Sequence, residues 1–137
     1  GSIKCYFIAQ DARVYLKQTQ KKYDVIVSDA YSHRAAVPYY LLTREHFNNI
    51  RKALNDNGLV VFNVIVRPLM NDTYSKRLDN TINQVFPNCM KIPVVFYDRN
   101  VNILYVCKLS KQEDDTTIYT DNLNRATLDY FKNVRSN

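Results

Sequence analysis

The chain has 137 residues, 46% of them hydrophobic and 23% charged, which suits one globular domain of ordinary size and excludes a disordered segment. No apolar run approaches the roughly 20 residues of a membrane-spanning helix and no signal peptide is visible, so no membrane partner is expected and a cytoplasmic location is. A net charge of +6 and a pI near 9.2 raise the question of a nucleic-acid partner. The basic residues are scattered, however, densest from Lys17 to Lys22, and no aromatic RNA-binding motif accompanies them. A solvated basic face is expected instead.

Cys5, Cys89 and Cys107 are odd in number, widely spaced and form no CxxC pair. That pattern argues against a disulfide framework and against a zinc site. His33 and His46 have no metal-ligand spacing either, so no metal is expected.

In chain order, residues 3–9 read as a strand, with Ile3, Cys5, Phe7 and Ala9 on one face and Tyr6 and Ile8 on the other. Asp11 follows it. There a carboxylate either caps a helix over residues 14–20 or accepts a hydrogen bond from a ligand amine. Residues 23–28 read as a second strand whose run Val25-Ile26-Val27 suits burial on both faces. Ligand sites in open α/β sheets lie beyond the carboxyl ends of such strands. Asp29 stands at that point, with the alternative that it only caps a turn.

Pro38 cannot continue a strand and starts a turn or helix. Residues 39–54 carry Leu42, Phe47, Ile50 and Leu54 at near-helical spacing, with Thr43 as N-cap and Glu45 in the first turn. Asn57-Gly58 is expected to end that helix. Residues 59–66 form a third strand, apolar almost throughout and so expected to be buried on both faces. Asn71 or Asp72 caps a further helix with Leu78, Ile82, Val85 and Phe86 inward, stopped by Pro87. Residues 94–97 and 101–106 read as a hairpin joined by Asp98-Arg99-Asn100. Residues 1–108 are read as the domain, and 109–137 as a polar linker and tail.

Strands alternating with helices imply α/β architecture with a parallel sheet and right-handed crossovers, and the last hairpin makes one edge antiparallel.

Four motifs carry a resemblance. They are Asp11-Ala12-Arg13 with Tyr15-Leu16; the stretch Tyr23-Asp24-Val25-Ile26-Val27-Ser28-Asp29-Ala30-Tyr31-Ser32; Pro38-Tyr39-Tyr40-Leu41-Leu42-Thr43-Arg44-Glu45-His46-Phe47; and Tyr119-Thr120-Asp121-Asn122. In this order, with Asn57-Gly58-Leu59-Val60-Val61, they make the chain resemble the C-terminal part of spermidine-synthase-like proteins. These are members of the class I S-adenosylmethionine-dependent transferase superfamily, so a Rossmann-like sheet of the methyltransferase type is implied.

The resemblance also implies roles. Asp11 would accept from the adenine amino group, with the Ala12 amide facing the ring and Pro38 and Leu41 packing on it. Asp29 matches the catalytic carboxylate that orients or deprotonates the attacking amine, and Tyr31 would assist through its hydroxyl. The donor substrate would be S-adenosylmethionine or its decarboxylated form, and the acceptor a small amine.

Two departures stand beside the matches. The loop after Asp29 reads Tyr31-Ser32-His33-Arg34 and lacks the second acid of authentic spermidine synthases. The first strands and the Gly-rich loop of the fold have no counterpart in the chain. The expectation is therefore a partial sheet from a longer protein, inactive by itself, with dimer formation through an exposed strand edge. The alternative is a non-catalytic interaction module that keeps the fold without the chemistry.

Overall fold

The computed structural model describes residues 4–29 and 38–109. Tyr31, the loop around it, and the tail with Tyr119-Thr120-Asp121-Asn122 lie outside the described residues.

A single sheet organises the fold. Its strands are β1 (Tyr23–Asp29), β2 (Leu54–Val66), β3 (Cys89–Pro93) and β4 (Val101–Lys108), in the spatial order β1-β2-β4-β3. β1 and β2 are parallel, with Ile26 beside Val60 and Asp29 beside Asn63. β4 runs antiparallel to β2, and β3 antiparallel to β4. The helices are α1 (Ala12–Gln18), α2 (Arg44–Ala53), preceded by a 3-10 turn (Tyr39–Leu42), and α3 (Thr73–Val85). This is the mixed α/β sheet with an antiparallel edge that the element order implies, in the partial Rossmann-like form that the resemblance implies.

Each helix starts where a short polar side chain satisfies its free N–H groups. Asp11 Oδ1 accepts from the Arg13 and Val14 amides at 2.9 and 3.2 Å. Thr43 Oγ1 accepts from His46 N at 3.3 Å, and Asp72 Oδ2 from Ser75 N at 2.9 Å. At the other end of α3, Arg51 Nη1 donates to the Val85 carbonyl at 2.9 Å, tying α2 to the last turn of α3.

The core lies on one face of the sheet. Val60, Phe62, Val64 and Val66 of β2 and Val101, Ile103, Tyr105 and Cys107 of β4 point into it. Phe47 and Ile50 of α2 and Leu78, Ile82 and Val85 of α3 meet them there. The opposite face carries Leu59, Val61, Ile65, Leu104 and Val106, only half-buried, and Val25 and Val27, which are 56% and 68% exposed. β1 and β2 are therefore not buried on both faces. A run without alternation fits two covered faces, but the described helices cover one.

Three further expectations are corrected. Residues 4–9 form no strand, and Tyr6 and Phe7 are 82% and 93% exposed. A strand needs a neighbour for its backbone ladder, and none lies beside this segment among the described residues. The hairpin partner of β4 is Cys89–Pro93 rather than residues 94–97. The ladder closes where Val94 N donates to the Asn102 carbonyl at 3.0 Å, and Val94 to Tyr97 are exposed. Apolar content pointed to the wrong segment, because an edge strand tolerates Lys91 and Pro93. Cys89 and Cys107 face each other in that register and are disulfide-bonded, with Cα atoms 4.0 Å apart. Cross-strand pairing brought together two residues whose separation in sequence gave no sign of it.

Asn57-Gly58 also does not end a helix. α2 ends at Ala53, and the two residues sit in β2 where its register with β1 shifts, residues 55–58 lying opposite Asp24. Asn55 Nδ2 donates to Asp24 Oδ1 there at 2.6 Å. A Cβ on Gly58 would stand 2.8 Å from the Asn55 carbonyl oxygen and 3.0 Å from Leu54 Cβ. The backbone must shift to admit it, so Gly58→Ala is expected to destabilise the fold by about 1–3 kcal/mol, read as a lower denaturation midpoint in urea. Thiol titration of the oxidised, denatured chain should find one free thiol, Cys5, and three after reduction.

Candidate functional site

The site is built at the carboxyl end of the parallel pair. β1 delivers Asp29 as its last residue, on the open face of the sheet beside Asn63 of β2. Asn63 Nδ2 donates to Asp29 Oδ1 at 3.2 Å. Asn102, near the start of β4, donates from Nδ2 to Asn63 Oδ1 at 2.9 Å. Three adjacent strands thus contribute one polar row to an otherwise apolar face.

A cleft of about 500 Å³ runs beside this row. Its walls include Ala12 and Leu16 of α1, Leu41 of the 3-10 turn, Ile50 of α2 and all of β1 except Asp24. Residues from both faces of β1 line it, so it follows the outer edge of that strand. Among the described residues that line it, Asp29 is the one acid. At the opposite end, the hydroxyls of Tyr15 and Tyr23 are 2.5 Å apart. The hydrogen bond from Tyr23 stabilises the Tyr15 phenolate and lowers its pKa, while sharing with Tyr15 raises that of Tyr23.

Of the residues singled out from the sequence, Asp29, Ala12 and Leu41 meet in this cleft. Pro38 does not line it. It stands at the head of the 3-10 turn, where its carbonyl accepts from Leu41 N at 2.9 Å. Asp11 is the helix cap, one of the two readings left open, and its second oxygen accepts from the Tyr40 hydroxyl at 3.3 Å. The carboxylate is thus fixed at the cleft rim, next to Ala12. Tyr31 lies outside the described residues. Asn63, Asn102 and His46 were not singled out. The signal for Asn63 was available: an amide inside the run Leu59-Val60-Val61-Phe62-Asn63-Val64-Ile65-Val66 has no place on a wholly apolar strand.

The sequence profile of the spermine/spermidine synthase domain matches residues 2–117. A probable polyamine aminopropyl transferase of Bifidobacterium longum is 33% identical over 78 residues, covering 57% of this chain and 17% of that protein. Among solved structures, a probable spermidine synthase from Corynebacterium glutamicum superposes with a TM-score of 0.62 at 22% identity, over 79% of this chain and 39% of that one. A spermidine synthase in complex with the transition-state analogue AdoDATO gives 0.58 at 15% identity, over 90% and 48%. Human methyltransferase-like protein 13, in complex with SAH, gives 0.60 at 18% identity, over 93% and 58%. The sheet is thus of the class I methyltransferase type. The chain spans under one fifth of the length of its curated relative and about half that of these structures.

His46 is the buried polar group of the cleft wall. It is 2% exposed, and its Nδ1 has no hydrogen-bond partner. Burial, and then the positive charge of Arg13, hold its pKa below the usual value of 6.5. As pH falls through 6.5 the unfolded chain takes up this proton before the folded one does, so stability decreases until the lower folded pKa is passed. His46→Phe should remove that component, making the melting temperature less dependent on pH below 6.5 in a thermal unfolding series.

Proposed function

We propose that this chain, which belongs to the spermine/spermidine synthase family, is the acid-bearing portion of a transferase that moves an aminopropyl group from a sulfonium donor to a small amine. The donor is of the S-adenosylmethionine type, in its decarboxylated form. The observation that carries this reading is Asp29 at the carboxyl end of the parallel pair β1/β2, at the rim of a cleft also walled by Ala12 and Leu41.

The chemistry follows from that placement. An amine is a nucleophile only when it is neutral. Asp29 is set to orient the amine and take its proton as the nitrogen attacks. The new C–N bond forms on the carbon next to the sulfonium, the C–S bond breaks, and the sulfur leaves as a neutral thioether carrying the adenosyl group. The nucleoside would lie along Ala12 and Leu41, with Asp11 at the rim facing the adenine amino group. For that contact Asp11 must share or exchange the hydroxyl of Tyr40. Pro38 supports Leu41 through its carbonyl instead of walling the cleft.

The rest of the cleft suits backbone better than ligand. Along the outer edge of β1, no described strand satisfies the backbone groups that face away from β2. A further strand seated there, from the remainder of a longer chain or from a second copy, would close the edge and complete the donor site. The isolated 137 residues would accordingly transfer poorly.

A non-catalytic reading has one observation in its favour: the sequence after Asp29 has His33 and Arg34 and no second acid. Asp29→Asn decides between the two. In the full-length protein, the substitution should lower aminopropyl transfer by about 10²–10⁴-fold with donor binding unchanged in calorimetric titration. Unchanged transfer, or no transfer by the wild type with any amine, would remove the enzymatic reading.

A further inference from the structure

We propose that Asn63 is a positioning residue for Asp29, and that Asn102 fixes the direction in which Asn63 acts. This rests on the reading of Asp29 as the group that meets the amine.

The open face of the sheet is apolar along most of its length, with Val25 and Val27 on β1, Leu59, Val61 and Ile65 on β2, and Leu104 and Val106 on β4. Asp29, Asn63 and Asn102 interrupt it as one row across three strands. Scattered solvent-facing polar residues would not form such a row. Nor would they be joined head to tail, as these are, by hydrogen bonds of 3.2 and 2.9 Å.

The direction of the row follows from the chemistry at its end. An ionised carboxylate only accepts hydrogen bonds, whereas an amide side chain has one donor end and one acceptor end. Asp29 therefore demands the NH₂ of Asn63. That choice turns Asn63 Oδ1 toward β4, where only a donor fits, and Asn102 supplies its NH₂. Neither amide can flip alone without placing two lone pairs, or two N–H groups, face to face. The row is a ladder with one polarity, and both of its links are anchored on strands.

The consequence for Asp29 is geometric. With Oδ1 held by Asn63, Oδ2 is assigned to the amine, and rotation of the carboxylate about its Cβ–Cγ bond is restrained. No acid follows in the segment from Ala30 to Arg34, so a lone carboxylate must hold the amine in line with the C–S bond. A misplacement of about 1 Å at such a group costs on the order of 10²-fold in rate.

Two measurements test this. The first needs no activity: in the ¹⁵N-labelled 137-residue chain, Asp29→Asn should move the side-chain amide resonances of Asn63, and Asn102→Leu should move them as well. Resonances unmoved by both changes would overturn the ladder. The second uses the full-length protein. Asn63→Leu should lower kcat on the order of 10²-fold with the KM for the sulfonium donor and the melting temperature unchanged, and Asn102→Leu should lower kcat by less. In an Asp29→Asn background Asn63→Leu should cost nothing further. An undiminished kcat in Asn63→Leu, or an equal loss in both backgrounds, would refute the positioning role. If the wild type transfers no group to any amine, the reading of Asp29 fails, and the amide resonances decide the ladder separately.

Discussion

The structure depends on Phe62. Its ring stands edge-on to Phe47 of α2 at 5.1 Å and tilted against Phe86, just beyond α3, at 5.6 Å. All three residues are at most 2% exposed. Aromatic pairs in such geometry each contribute about 0.5–1.5 kcal/mol beyond the area they bury. More important is what the contact joins. Among the described strands, β2 is the one flanked by both a parallel and an antiparallel neighbour, and Phe62 is where two helices grip it. With Phe62 turned into the core, strand alternation turns Val61 and Asn63 to the other face. The burial of one aromatic ring thereby places the amide that reaches Asp29. A slip of one residue in the pairing would send Asn63 into the core and Phe62 into solvent.

The two faces of the sheet explain the difference between its stable and its reactive parts. The helix face is closed, and most of its polar groups are satisfied within it, His46 Nδ1 and one oxygen of Asp72 excepted. Ser75, fully buried, accepts from Arg67 N at 2.9 Å and donates its own N–H to Asp72. Tyr105 donates to Asp79 Oδ1 at 2.6 Å, and Lys91 pairs with the same carboxylate. The other face has no described helix over it, and there β1 exposes both an edge and two valines. In an α/β sheet the carboxyl ends of the strands are where loops leave room for a ligand. The open face and the open edge converge at Asp29, which is why chemistry and incompleteness meet at one point.

Much of this was legible in the sequence, for physical reasons that differ by element. Caps are local, so Thr43 could be read from residue type and position alone, and Asp11 and Asp72 each as one of two readings; all three accept the hydrogen bond their place demands. The inner faces of α2 and α3 repeat at helical spacing, and Phe47, Ile50, Leu78 and Ile82 are buried accordingly. What depends on a partner was not legible. Residues 4–9 alternate like a strand but have no neighbour to pair with among those described. Residues 94–97 are more apolar than Cys89–Pro93, yet the latter hold the ladder with β4. At the site, Asp29 could be placed at a strand end. The hydrogen bond that Asn63 gives it is a product of register across β1 and β2, and register is set by both strands together.

The disulfide belongs to the same class of hidden pairing, and it joins the far edge of the sheet to β4, the strand that carries Asn102. Cys89 lies directly opposite Cys107, and Lys91 opposite Tyr105, so β3 is held to β4 at two successive positions on the helix face. Lys91 and Tyr105 both meet Asp79 of α3, so the β3–β4 pair cannot slide along β2 without breaking these contacts. The register of β4 on β2 sets Asn102 beside Ile65 and diagonal to Asn63, the placement from which its amide reaches Asn63 Oδ1. A shift of β4 by two residues would keep every side chain on its face, but Asn102 would be carried roughly 7 Å along the strand, out of hydrogen-bond reach. Strand alternation alone therefore does not specify the polar row. The contacts of Tyr105 and Lys91 with Asp79 of α3 add a constraint, and they do so from the helix face, opposite the face that carries Asp29.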